Sequence, residues 1–335
     1  MMQDNDEDTP STESATTADP YISLFTSTAS RKIYQERVAI LDTEDFLQWQ
    51  TLSFPLEVGA ELAAWCNLKC IMCPVPTTKR PRELMKPGLF KKITDELASE
   101  SGYILLPQGF GETMLHAGWS DLVEYAQSKG IGPIVMLSNG TTINETNARK
   151  ILRLGIDALV ISIDGVKPET YASIRVGGKL QKVEANVKRL IDARGTDALP
   201  RLCLRIIRMK ETESEIEEFV DRWAKLLRPD DLIQIQPFQD WAGKVDNPYT
   251  PKIPQEPQPP RRPCRMLWSN LSVHADGKVS ACCHDSEDEL IIGDVAGGET
   301  LQDIWRGEKL KILRNIHIEG HLEDLPICLA CKAWK

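Results

Sequence analysis

The chain has 335 residues, 41% of them hydrophobic and 27% charged, a globular composition with material for about two domains that excludes collagenous, wholly disordered and membrane-embedded classes. The net charge is −9, but Met1–Pro20 carries four Asp, two Glu and no Lys or Arg, leaving −3 on the remainder. A body so near neutrality argues against a nucleic-acid surface. No apolar run approaches the ~20 residues of a membrane helix, and the acidic start is not a signal peptide, so the expected location is cytoplasmic.

Residues 1–20 are too polar to offset their ordering entropy and are expected to form a disordered acidic tail, followed by an N-terminal extension over 21–54. From Leu56 short apolar runs alternate with segments of helical period. The runs are 56–60, 103–112, 134–140, 158–165, 201–209 and 232–239. Helices are predicted over Leu89–Ala98, Trp119–Lys129, Asn144–Leu154, Lys182–Ala193 and Ser214–Leu227. Strands separated by helices imply a parallel sheet with helices outside, either doubly wound or a partial barrel, with working residues at the strands' carboxyl ends.

Residues 247–263 hold seven prolines, which fit neither a helix interior nor a central strand, so this stretch is expected to be a stiff linker closing a barrel domain over 55–246. Beyond it, 264–335 is predicted to open with a hairpin turning at Ala275-Asp276-Gly277, followed by a short strand and helices. About 70 residues is a small core, so a metal staple is expected.

Nine cysteines are many for a reducing compartment, and eight of them fall in two groups, the pattern of metal binding rather than of disulfides. Cys66, Cys70 and Cys73 form C-x3-C-x2-C just after the first predicted strand. Three thiolates on one loop can hold three irons of a 4Fe-4S cluster and leave the fourth open. A structural zinc site, which usually takes four ligands, is the alternative.

On this motif the chain resembles the radical S-adenosylmethionine (SAM) superfamily from about Pro55 onward. The resemblance implies an α/β fold, a partial (β/α)6 TIM-like barrel with a small C-terminal α+β auxiliary-cluster domain. It also implies a cluster whose open iron chelates the amino and carboxylate groups of SAM. Reductive cleavage of SAM then gives a 5'-deoxyadenosyl radical that abstracts hydrogen from substrate. Gly109-Phe110-Gly111-Glu112 is similar to the family's glycine-glycine-glutamate motif, with Gly111 and Glu112 facing the SAM amino group, although Thr113 replaces the usual proline. Asn139, Ser162 and Asp164, at the ends of the third and fourth strands, resemble its ribose-contacting and barrel-mouth positions. Arg175 matches a contact to the SAM carboxylate or a substrate anion, with a structural ion pair as the alternative. Met72 stands where relatives often have an aromatic residue beside adenine.

The second group, Cys264, Cys282, Cys328 and Cys331, resembles the SPASM extension in its shortened Twitch form, which implies a second, closed 4Fe-4S cluster. The family pattern selects Cys282, five positions after the hairpin glycine, over Cys283. Four thiolates are also a structural-zinc set. Cys203 and Cys283 remain, each either a small buried hydrophobe or, by likeness to radical epimerases, a hydrogen donor to a substrate radical. Among the histidines, His116, His274 and His284 merit attention.

The resemblance implies an oxidoreductase or epimerase acting on a carbohydrate-like small molecule (a sugar, aminocyclitol or aminoglycoside), supplied with electrons by a flavodoxin or ferredoxin. A ribosomal-peptide maturase is the alternative, and an iron-sulfur electron carrier or zinc-stapled interaction protein the alternatives of another class. The ending Ala333-Trp334-Lys335 lacks the paired glycines of the molybdopterin-pathway relatives, so that branch is not expected.

Overall fold

The computed structural model describes residues 21–196, 199–245 and 261–332. The expected acidic tail and most of the proline-rich stretch lie outside the described residues. The six expected strands are present: β1 Glu57–Ala60, β2 Ile104–Leu106, β3 Val135–Ser138, β4 Ala158–Ser162, β5 Arg201–Arg208 and β6 Leu232–Pro237. Consecutive strands pair in parallel, except that β2 and β3 meet only through a bridge between Leu105 and Ile134. Helices fill all five gaps, so the chain builds a parallel half-barrel, one of the two architectures that its alternating pattern allows and the one that the resemblance implies.

Local chemistry sets the helix ends. The helix Glu145–Leu154 starts where the Asn144 side chain accepts the Asn147 N–H and stops at Gly155, which is left-handed at φ 56°, a cap pair that satisfies groups orphaned at each end. Its Ala148, Ile151 and Leu154 are buried. An additional helix, Pro168–Ile174, begins on a proline at its first turn and ends at Arg175. In β5 burial alternates: Leu202, Leu204 and Ile206 are buried, while Cys203, Arg205 and Ile207 occupy the opposite face.

The hydrogen-bonded strands form two sheets, β3 to β6 in one and β1 with β2 in the other, and the C-terminal segment adds three strands to the second. β7 (Asn270–Val273) pairs in parallel with β1, from Glu57 opposite Asn270 to Ala60 opposite Val273, and β8 (Lys278–Ser280) and β9 (Ile291–Asp294) continue antiparallel. The hairpin turns where expected. Gly277 has φ +100°, and a Cβ there would lie 2.5 Å from that of Ala296, so only glycine fits. The N-terminal extension clamps the junction, with Trp49 edge-on to Trp268 and the Leu52 carbonyl accepting from Trp305 Nε1.

Below the sheet, Arg194 and Asp231 form a buried bidentate ion pair at 2.7 and 2.6 Å, and Asp231 also accepts from the backbone of Leu202 and Arg228. Breaking such a pair strands one buried charge, so Arg194→Ala is expected to lower stability by about 3–5 kcal/mol in urea denaturation. Burial opposes ionisation of Asp231, but its hydrogen bonds from Arg194 and the two backbone N–H groups hold its pKa below the ordinary value. A depressed carboxylate stabilises above its unfolded pKa of ~3.9, and that stabilisation fades as pH falls through the folded value. The urea midpoint is therefore expected to drop below about pH 4, and to drop less steeply in Asp231→Asn.

Candidate active site

The loop after β1 carries Cys66, Cys70 and Cys73, and its backbone is fixed from two sides. Lys69 N donates to Val176 O at 2.9 Å and Ile71 N to Ile174 O at 3.0 Å, which ties it to the end of the helix before Arg175. On the other side Glu112 N donates to Trp65 O. A Cβ on Gly111 would lie 2.0 Å from Ala63 O and 2.4 Å from Trp65 O, so this glycine exists to let two loops touch. The Cys66 sulfur accepts from Leu68 N and from Asn139 Nδ2 at 3.4 Å. Burial raises the pKa of all three thiols, that of Cys73 to about 12. Without metal they are protonated, and a bound cation must displace those protons.

Glu112 is buried beneath this loop and receives hydrogen bonds from Ser138 Oγ, Asn139 N and Thr142 Oγ1 at 2.9, 2.7 and 3.1 Å. Burial raises its pKa against the pull of these donors. Asp164 is fully buried and does not line the chamber. It pairs with Arg175 Nε at 2.7 Å and accepts from Ile207 N. Burial works to lower the Arg175 pKa, but the charges of Asp164 and then Cys70 hold it above its ordinary value. Asp164 thus aims a permanent cation beside the cysteine loop.

These groups surround one chamber of about 350 Å³ inside the half-barrel, a volume typical of small-molecule sites. Cys66, Cys70, Cys73, Met72, Gly111, Glu112, Asn139, Ser162 and Arg175 all line it. So does Cys283, whereas Cys203 does not and lies 3.9 Å from Gln234 Oε1. Burial raises both thiols, Cys203 to about 11 and Cys283, beside the Glu57 carboxylate, to about 12.

Several lining residues carry no sequence motif. Trp241, in a positive-φ turn after β6, donates from Nε1 to Met72 O at 2.8 Å and packs on Phe110 and His284. Glu57, Arg205, Gln236, Asn270 and Ser272 add a polar lining. His274, 2% exposed, places Nδ1 in ion-pair contact 2.9 Å from Asp288 Oδ1, and neither ring nitrogen makes a hydrogen bond of regular geometry among the described residues. Asp288 has the strained φ of +61° and ion pairs to Arg80 and Lys278. Its pKa is held well below the carboxylate range, chiefly by His274. Arg80 continues the chain of charges to the buried Glu61, which accepts from Phe110 N and Ala275 N.

The second cysteine group also converges. Cys264, Cys282, Cys328 and Cys331 line one small apolar cavity with Leu267, Leu290 and His317. The neighbours Cys282 and Cys283 therefore face different cavities. No three His, Cys, Asp or Glu side chains among the described residues converge on a point that a single metal ion takes. A four-iron cluster takes one cysteine at each of its irons, so its ligands need not converge on one point as those of a zinc ion do.

A parallel half-barrel with three thiols on the loop after its first strand, and four more around a second cavity, defines an iron-sulfur enzyme of the radical SAM class. The Radical SAM superfamily model matches residues 61–222, and that of SPASM, an iron-sulfur cluster-binding domain, matches 264–332. Together these matches span more than half of the chain, which belongs to the radical SAM superfamily. Its cofactors are 4Fe-4S clusters and S-adenosylmethionine.

A probable GTP 3',8-cyclase of Methanococcus maripaludis is 26% identical over 162 residues, 48% of this chain and 52% of that protein. The chain spans about half the length of the curated relatives it matches. BtrN in complex with AdoMet and 2-DOIA superposes with a TM-score of 0.58 at 17% identity, covering 83% of this chain and 93% of that one. Streptococcus suis SuiB bound to precursor peptide SuiA gives 0.64 at 14%, covering 92% and 74%. At such identities the likeness shows the fold alone. No helix among the described residues is long and apolar enough to cross a membrane.

Proposed function

We propose that this radical SAM enzyme oxidises an alcohol carbon of a carbohydrate-like substrate held inside the half-barrel. The observation that carries this reading is the presence of the polar side chains Glu57, Arg205, Gln236, Asn270 and Ser272 among those lining the chamber that the three loop cysteines enter. A polyhydroxylated ligand needs such partners, because each buried hydroxyl without one costs affinity. The fold shared with BtrN, whose complex contains AdoMet and 2-DOIA, supports it.

Cys66, Cys70 and Cys73 would hold the SAM-binding cluster, and Cys264, Cys282, Cys328 and Cys331 the auxiliary one. When bound, the clusters and SAM supply an oxidant for one hydrogen atom and an acceptor for one electron. Glu112, Asn139, Ser162 and Arg175 line the chamber, where a zwitterionic cosubstrate would meet both a carboxylate and a guanidinium. His274 has the geometry of a proton acceptor. Asp288 pairs with its Nδ1, and the ring lines the chamber, where it would take the proton of the substrate hydroxyl.

Epimerisation is a second reading, favoured by one observation: Cys283 lines the chamber as a half-buried thiol whose pKa is raised by its surroundings. Cys203 lacks that position.

Deuterated sugars, aminocyclitols and peptides, incubated with SAM, dithionite and anaerobically reconstituted protein, test the reading through deuterium in 5'-deoxyadenosine. Transfer from a carbohydrate is expected; transfer from peptides alone overturns the substrate class. With the active carbohydrate, His274→Gln is expected to lower kcat by about 10²-fold or more and to leave 5'-deoxyadenosine formation less impaired than product formation. An inverted carbon labelled from deuterated water, with the label lost in Cys283→Ala, replaces oxidation with epimerisation.

A further inference from the structure

His317 is 4% exposed, on the helix Glu308–Glu319, and lines the cavity shared by Cys264, Cys282, Cys328 and Cys331. Its Nδ1 accepts the backbone N–H of Cys264 at 3.2 Å. That bond fixes the tautomer, because an accepting nitrogen carries no proton and the hydrogen of a neutral ring then sits on Nε2. Nε2 has no partner among the described residues. A buried N–H donor left unpaired carries its full desolvation cost, and buried donors are rarely orphaned without a reason. The other walls include Leu267, Leu290 and Ile327, whose side chains offer nothing to accept it. The side-chain acceptors that line this cavity are the sulfurs of the four cysteines and of Met266.

We propose that His317 Nε2–H donates a hydrogen bond to a sulfur of the auxiliary cluster and raises that cluster's reduction potential. The inference rests on the assignment of this cluster to the four cysteines. A donor aimed at a cluster sulfur favours the reduced, more negative state, and hydrogen bonds to the sulfurs are among the factors that set cluster potentials. His317 is thus a positioning and tuning residue rather than a catalytic one. Its consequence for oxidation is direct: a raised potential makes the auxiliary site a better sink for the electron that alcohol oxidation leaves behind.

The test uses the full chain with Cys66, Cys70 and Cys73 all changed to Ala, reconstituted anaerobically so that only the auxiliary cluster remains, and reads its potential by EPR-monitored titration. Replacing His317 with Phe is expected to disfavour reduction about tenfold, a downward shift of ~59 mV for one electron, and His317→Gln, which keeps an N–H donor, to recover most of it. An unchanged potential in His317→Phe overturns the role of His317 and leaves the cluster assignment standing. Absence of a four-iron signal from the triple-Ala protein overturns both. If His317→Phe does not retain iron, the wild-type histidine decides: with 15N-histidine, hyperfine coupling from a ring nitrogen to the reduced auxiliary cluster is expected, and its absence overturns the proposal.

Discussion

Cys70→Ala is expected to abolish formation of 5'-deoxyadenosine from SAM and dithionite while leaving the auxiliary cluster in place. Reconstituted wild type should carry about eight irons per chain, the sum of two four-iron clusters, and the variant about four. The expectation follows from separation in space: Cys70 faces the barrel chamber and the other four cysteines face a second cavity. Two ligands cannot replace three on the loop, whose neighbouring residues Lys69 and Ile71 are pinned by backbone hydrogen bonds. Loss of all eight irons would mean that the two sites fold as one, and undiminished SAM cleavage would remove Cys70 from the chemistry.

Arg175→Met is expected to be nearly as damaging, for two separable reasons. It leaves Asp164 as an unpaired charge with 0% exposure, which costs about 3–5 kcal/mol. It also removes the cation beside Cys70, at the point where residues 174 and 176 hold the loop. Neutralising the stranded partner in Arg175→Met/Asp164→Asn should recover much of the stability, since contacting residues are energetically coupled. It should not recover SAM cleavage if the guanidinium also serves the chamber it lines. Thermal denaturation and deoxyadenosine formation, measured on both variants, separate these roles. Recovery of both would make Arg175 a purely structural partner of Asp164.

Much of this was legible in the sequence where the signal is local. Apolar runs gave the six strands, and the spacing of Cys66, Cys70 and Cys73 after the first of them marked the chamber's mouth. The helix Pro168–Ile174 was not expected, although Pro168 at its start is an ordinary helix-opening signal. Alternation along β5 puts Cys203 on the face opposite Leu202 and Leu204, but a period of two fixes a face and not a depth along the barrel axis. Hence it could not distinguish Cys203, outside the chamber lining, from Arg205 and Ile207 within it. Asp164 lies behind Arg175 for a related reason: its place at a strand end gave its neighbourhood, and only the fold shows which partner its carboxylate meets.

Long-range assembly accounts for the rest. The pairing of β7 with β1 brings Asn270 beside Glu57 and makes the C-terminal segment a wall of the barrel. The charge path Glu61, Arg80, Asp288 and His274 draws on segments more than 200 residues apart. Trp241 is one tryptophan among eight in the sequence and becomes notable only once it is seen to bond Met72 and pack on Phe110.

The most direct measurement of the central assignment, an open cluster on the β1 loop, is electron-nuclear double resonance of the reduced protein with SAM labelled by 15N at the amino group and 17O at the carboxylate. Hyperfine coupling to both labels, absent from Cys70→Ala, is the expected result. Wild-type protein that holds its full iron and shows coupling to neither label would contradict it.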